Sequence, residues 1–261
     1  MKELFELRGD LDKHKQIPIQ IAGVVLIVGI WWLITAMGVV SQSLLPSPVR
    51  VITSFKELHF EDLLVRNLFY SIKLNVLGYI EALAIAIPVG FVVGLFPLFK
   101  GLFNKQIDAF RFIPLTAVTG LFIAWFGIED SMKVHFLAFG IIVYLLPVVI
   151  QRVYEVERVY EQTVITLGAT KWQTIKSVFI PSVLSKISVD IRVMVAISWT
   201  YIIVAELVNK SGGVGALAYV AARQSRIDKV FAILIVIVIV GFIQDKLFEK
   251  LDKLVFRYKY V

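Results

Sequence analysis

EQTVITLGATKWQTIKSVFIP, residues 161–181, lies between two strongly apolar regions yet carries Glu161, Lys171, Lys176 and a glycine. Such a stretch is expected to sit outside a bilayer while tied to it at both ends. Apolar residues recur here at helical spacing in two pieces, Tyr160, Val164 and Leu167 and then Trp172, Ile175 and Phe179, with Gly168 between them. Gly168 is expected to form a corner, because glycine enters left-handed backbone conformations without steric cost. Pro181 is expected to restart the chain, since proline is tolerated in the first turn of a helix and not in its interior.

Composition sets the solvent. The 261 residues are 58% hydrophobic, with a mean hydropathy of +0.81, well above the apolar half of a soluble domain, so the chain is read as an all-α polytopic membrane protein. It has no cysteine, which excludes disulfides, thiolate metal sites and cysteine nucleophiles. The net charge of +7 comes without a basic-aromatic nucleic-acid motif, and in a membrane protein it bears first on orientation.

Six spans are expected, at about 17–40, 68–96, 107–126, 134–150, 189–208 and 230–248, within a membrane domain of 17–249. The first is too long for a removable signal peptide and lacks a small-residue cleavage site. Residues 1–16 form a charged N-terminal segment, amphipathic on the membrane surface or an ordinary polar tail, and 250–261 a C-terminal tail. Ser47–Pro48 marks a helix start outside the second span, with Ile52, Phe55 and Leu58 on its apolar face. Segments on the side of the N-terminus, including the loop 151–188, hold sixteen Lys and Arg against eight on the other. That bias places both termini and the 161–181 platform in the cytoplasm.

The platform resembles the cytoplasmic E-A-A-x-x-x-G loop of ABC-importer permeases. Glu161, Gly168, Ala169 and the closing Ile180–Pro181 match it, and Gln162 and Thr163 stand in place of alanines. L-P-S-P at 45–48, Trp125-Phe126-Gly127-Ile128 and the glycine run at 211–215 resemble, in the same order, permeases of the nitrate, sulfonate, taurine and bicarbonate group. The resemblance implies a type I importer fold of six membrane helices in the bacterial inner membrane, paired with a second permease copy as a homodimer. It also implies two ATPase subunits that bind the ATP and Mg, and an external solute-binding protein. Tyr160, Glu161, Thr163, Val164, Leu167, Gly168, Ala169, Thr170, Lys171 and Trp172 would be the docking residues. The solute would be a small anion such as nitrate, bicarbonate or a sulfonate. A surface helix-turn-helix without a docking role is the plainer alternative, and Lys171 and Lys176 could instead meet anionic lipid.

No G-x-x-x-x-G-K-[ST] loop is present, so ATP hydrolysis is expected in a partner chain and this chain is expected to be no enzyme. His14, His59 and His135 fall in different segments, without H-E-x-x-H or G-x-S-x-G motifs. Glu81 and Glu206 are ionisable groups at apparent membrane depth, and Ser198, Thr200 and Tyr201 are polar neighbours in the fifth span. All five are candidates for the translocation path. Each has a structural counterpart: Glu81 as a packed charge, Glu206 at the interface, the hydroxyls as glue between helices. An ion-coupled secondary transporter using Glu81 is the functional alternative, disfavoured by six spans without an evident internal repeat. The glycine run is read as an outer gate or docking loop, or simply a turn.

Overall fold

Every fourth residue along one long apolar stretch is small: Gly78, Ala82, Ala86, Gly90 and Gly94. In the computed structural model, which describes residues 12–208 and 211–260, this stripe is the central seam. It lies on helix α3 (Leu64–Leu95) and packs along helix α6 (Asp130–Tyr154). A Cβ built on Gly78 would stand 2.6 Å from the Leu137 side chain, one on Gly90 2.5 Å from Val149, and one on Gly94 2.9 Å from Val153. The constant offset makes the two helices parallel and in register. In lipid there is no hydrophobic force between helices, so close backbone approach through small residues is what supplies their contact. Gly90→Leu is expected to destabilise the permease by about 1–3 kcal/mol through overpacking. Val149→Ala in the same chain should recover much of that loss in a detergent thermal melt.

The remaining elements surround this pair. Helix α1 (Lys13–Ala36) touches the rest mainly near its C-terminal end, where the Trp31 indole donates to the Pro46 carbonyl at 3.0 Å and stacks on Phe231. Helix α2 (Pro48–Phe60) starts where expected, with the Ser47 hydroxyl accepting from the Arg50 N–H at 3.3 Å and Pro48 in the first turn. Its buried face is Val51, Ser54 and Leu58, whereas Ile52 is exposed, so the face is rotated from the one expected. It rests on helix α11 (Ile227–Val255), with Arg226 donating to Glu57 at 2.7 Å and Lys229 to Asp62 at 2.6 Å. The hydrogen bond from Arg226 holds the Glu57 carboxyl below its usual range, and Arg226 is raised in turn by Asp228 and Glu57.

Among the described residues, five helical runs are long and apolar enough to cross a bilayer: α1, α3, α6, Lys171–Val208 and α11. A bent pair, helix α4 (Pro97–Phe110) and helix α5 (Leu115–Phe126), meets at 105° and makes a sixth crossing if the two are counted as one broken span. The expected third span at 107–126 is therefore not one helix. Pro114 has no N–H to give and biases Ile113 away from helical backbone, and the chain opens over residues 111–114. The fifth span begins far earlier than expected. Helix α8 (Lys171–Thr174) continues through a π turn (Ile175–Phe179) into helix α9 (Ile180–Val208). Pro181 stands in the first turn of α9, as expected, but the chain enters that helix through the π turn without a break. α6 exceeds its expected 134–150 at both ends, and at the N-terminal one Lys133 is turned inward and fully buried.

Polar bonds tie the bundle together. Asn75 donates to Ser198 at 3.0 Å, and the Tyr79 hydroxyl bonds the Ile191 carbonyl, joining α3 to α9. Arg152 makes two 2.8 Å bonds to Asp190 between α6 and α9, and Trp199 donates to Gln244 at 2.6 Å between α9 and α11. Residues 209–229, expected as a loop, contain helix α10 (Val214–Arg223). The 250–261 tail is helical to Val255, then folds back, Tyr258 donating to the Pro181 carbonyl at 3.1 Å. The amphipathic reading of residues 1–16 falls almost wholly outside the described residues.

Candidate functional site

The platform is built from helix α7 (Arg158–Thr166), a corner, and α8 with its π turn. Gly168 has φ +86°. Its N–H bonds the Ile165 carbonyl at 2.9 Å, and the Ala169 N–H bonds the Val164 carbonyl at 3.0 Å. These two bonds are the Schellman arrangement, which satisfies the last carbonyls of a helix and turns the chain. Thr170 and Gln173 then form a reciprocal capping box that starts α8. The T-x-x-Q signal for it was legible in the sequence and is absent from the periodicity argument.

The two short helices do not hide their apolar residues. Tyr160 is 55% exposed, Leu167 81% and Trp172 67%. Thr163 bonds back to the Val159 carbonyl, and Lys171 lies exposed. Glu161 faces inward to a groove of about 480 Å³, shared with Ala169, Lys171 and the α3–α4 joint at Leu95, Phe96 and Pro97. Val164, Leu167, Gly168 and Ala169 line a second concavity with Gln173 and Ser177. The second apolar stripe splits: Trp172 faces out, while Thr174 and Val178 are the buried positions. Counted back from Gly168, the glutamate of the E-A-A-x-x-x-G pattern falls on Gln162, one residue after Glu161. Glu155 anchors the platform's entry, its carboxyl held below the ordinary range by the hydrogen bond from Arg152, and its carbonyl accepts from Lys186 at 2.9 Å.

The five candidate path residues do not converge. Ser198 is buried against Asn75 and the Val195 carbonyl, as helix glue. Glu206, expected at the interface, is instead fully buried. It accepts the Ser71 hydroxyl at 2.5 Å and the Gly215 N–H at 2.8 Å. The glycine run is therefore a structured cap: Gly213 and Val214 also donate to Asn67 and Ser71, and α10 starts on the Glu206 carboxylate. Lys133 lies in the same network, donating to Tyr70 and Ser211 at 3.0 Å each, and the Tyr70 hydroxyl bonds Asp130. Glu81 meets His135 at 2.8 Å, with the imidazole packed at a tilt of 43° against the Phe126 ring. Sequence reasoning had left that histidine without a partner. Thr200 and Tyr201 alone of the five line a shared cavity, opposite the α4–α5 break.

Comparison with known proteins places this geometry. The family model described as "Binding-protein-dependent transport system inner membrane component" matches residues 86–257. A "Putative aliphatic sulfonates transport permease protein SsuC" of Bacillus subtilis is 32% identical over 245 residues, covering 90% of this chain and 85% of that protein. The "Taurine transport system permease protein TauC" of Escherichia coli is 25% identical over 236 residues, covering 88% and 86%. Among solved structures, an inward-facing MetNI methionine ABC transporter chain aligns with a TM-score of 0.66 at 18% identity, over 75% of this chain and 97% of that one. An amino acid ABC transporter chain aligns at 0.57 and 19% identity.

Proposed function

The chain belongs to the family of binding-protein-dependent transport system inner membrane components, and from that premise we propose that it carries a small anion inward, driven by separate ATPase subunits docked on residues 158–179. It is a multi-pass membrane permease of the ABC-importer kind, and its fold is that of type I importer permeases. Membership in this family weighs against the ion-coupled secondary transporter.

One observation supports the docking most: three large apolar side chains, Tyr160, Leu167 and Trp172, stand exposed around a rigid corner at the end of the bundle to which α3 and α6 both run. Exposed aromatic and aliphatic side chains around a fixed turn are what a partner's groove requires as anchors. On this reading a homodimer presents two such platforms to two ATPases. ATP-driven closure draws them together and turns the cavity between the permeases outward, toward a solute-binding protein. The platform faces the cytoplasm of the bacterial inner membrane, in keeping with the charge bias. The anionic solute rests on the sulfonate and taurine transport named for two relatives.

The test is reconstitution. The purified chain in proteoliposomes is expected to hydrolyse no ATP and to accumulate no labelled ethanesulfonate, taurine or nitrate. Uptake of one of them should appear when the ATPase and binding protein are added. Accumulation by the chain alone under an ion gradient would restore the secondary transporter.

A further inference from the structure

The opening between α4 and α5 is more than a kink. It exposes a cavity of about 290 Å³, lined by Arg111 and Thr116 at the break, Tyr144 on α6, and Thr200 and Tyr201 on α9. That is the small end of the range for ligand sites, roughly 300–1,000 Å³. Its depth follows from its neighbours. Leu115 packs at Gly140, near the middle of α6, while Phe122 packs on Phe136 closer to that helix's outer end. The cavity thus lies about halfway across the bilayer, where alternating access requires a solute to pass. Gly140 permits this construction, for a Cβ there would stand 2.6 Å from the Tyr201 ring and 2.7 Å from Leu115.

The chemistry of the wall is one-sided. It presents one guanidinium and four hydroxyls, and no carboxylate lines it. Asp108 bonds Arg111 at 2.8 Å and is itself held by Asn104 at 3.1 Å, but stands outside the lining. Arginine has five N–H donors, and this pair occupies one of them. The carboxylate therefore orients the guanidinium and leaves its remaining donors free. We propose that this cavity is an oxyanion subsite on the translocation path, in which Arg111 supplies the charge and Thr116, Tyr144, Thr200 and Tyr201 supply neutral donors. The proposal rests on the permease reading and assigns a place to its solute.

The physical case is a balance between entry and release. An anion that leaves water for the middle of a bilayer loses its hydration, and charge-assisted bonds from a planar guanidinium replace it for nitrate, sulfonate or carboxylate oxygens alike. A path must also let the ion leave, so binding cannot be too favourable. One partly neutralised arginine with hydroxyls meets that condition, where a cluster of free cations would trap the solute. The Glu81–His135 pair is outside the lining, as is the buried Glu206.

Because the chain lacks cysteine, Thr200→Cys places a single thiol on the cavity wall. The experiment compares its modification rates, in permeabilised membranes holding the full chain, by a sulfonatoethyl and a trimethylammonioethyl methanethiosulfonate. Each rate is normalised to that of a free thiol. The sulfonate reagent should be favoured about tenfold, the effect of one nearby positive charge at intermediate dielectric. Arg111→Gln should remove that preference and Arg111→Lys retain most of it, while ethanesulfonate, but not ethanolamine, should slow the parent reaction. A parent ratio at or below one, or a ratio unchanged by Arg111→Gln, would overturn the assignment. So would a thiol that neither reagent reaches. Labelling needs no ATPase, binding protein or transport, so these outcomes are independent of reconstitution.

Discussion

Glu206→Ala is expected to loosen the end of the bundle that carries α10 and lower the melting temperature of the detergent-solubilised chain by roughly 6–12 °C, for a loss of about 3 kcal/mol. The carboxylate is fully buried and receives the Ser71 hydroxyl and the Gly215 N–H. Removing it strands those donors and takes away one of the three acidic groups near the buried Lys133, which keeps Asp130 and Glu129. Breaking up a buried charge network costs more than the network's net contribution, because the surviving partner remains desolvated. Glu206→Gln separates the terms: the amide keeps the shape and an acceptor for Gly215, so a loss about half as large is expected. Gly213→Ala should resemble Glu206→Ala, since Gly213 has φ +103° and a Cβ there would enter the Glu206 carboxyl. A melt unchanged in both Glu206→Ala and Gly213→Ala would show that this carboxylate does not hold α10 in place.

Gly168→Val should leave stability nearly intact while reducing ATPase retention at least about tenfold, which corresponds to 1.4 kcal/mol of binding. A Cβ on Gly168 would meet nothing within 4 Å, so the effect is conformational and not a clash. At φ +86° a branched side chain is strained by about 1–2 kcal/mol. The corner relieves that strain by breaking the two Schellman bonds. α7 then tilts against α8, and Leu167 and Trp172 lose the relative placement that a groove would read. Co-purification of the ATPase with Gly168→Val, set beside Lys171→Gln/Lys176→Gln, decides between protein docking and lipid contact. Lipid binding predicts salt sensitivity and a response to charge removal alone. Normal ATPase retention and coupled transport in Gly168→Val would remove the platform from its proposed role.

Much of the architecture was legible because its signals are local. Apolar length exposed the membrane helices, Ser47–Pro48 the start of α2, and the glycine between two stripes the corner at Gly168. The small-residue stripe on α3 was equally visible, at intervals of four from Gly78 to Gly94, as was the Thr170-x-x-Gln173 capping box. Neither carries large apolar residues, and a reading based on hydrophobic periodicity passes over both. The π turn left no such signal, and Pro181 pointed away from it.

The sequence by itself determined that this chain takes the bilayer as solvent, crosses it with about six helices and carries a polar, cornered platform between the fourth and fifth. Those properties follow from hydropathy and turn chemistry over a few neighbouring residues. Only the tertiary structure decided which polar groups are sealed in and which face open space. Ser71 and Glu206 are 135 positions apart, Tyr70 and Lys133 63, and Glu81 and His135 54. A charge in an apolar run reads the same from its neighbours whether it will be buried, paired or exposed. What settles the matter is the desolvation cost and the partner that offsets it, and that partner is supplied by another helix.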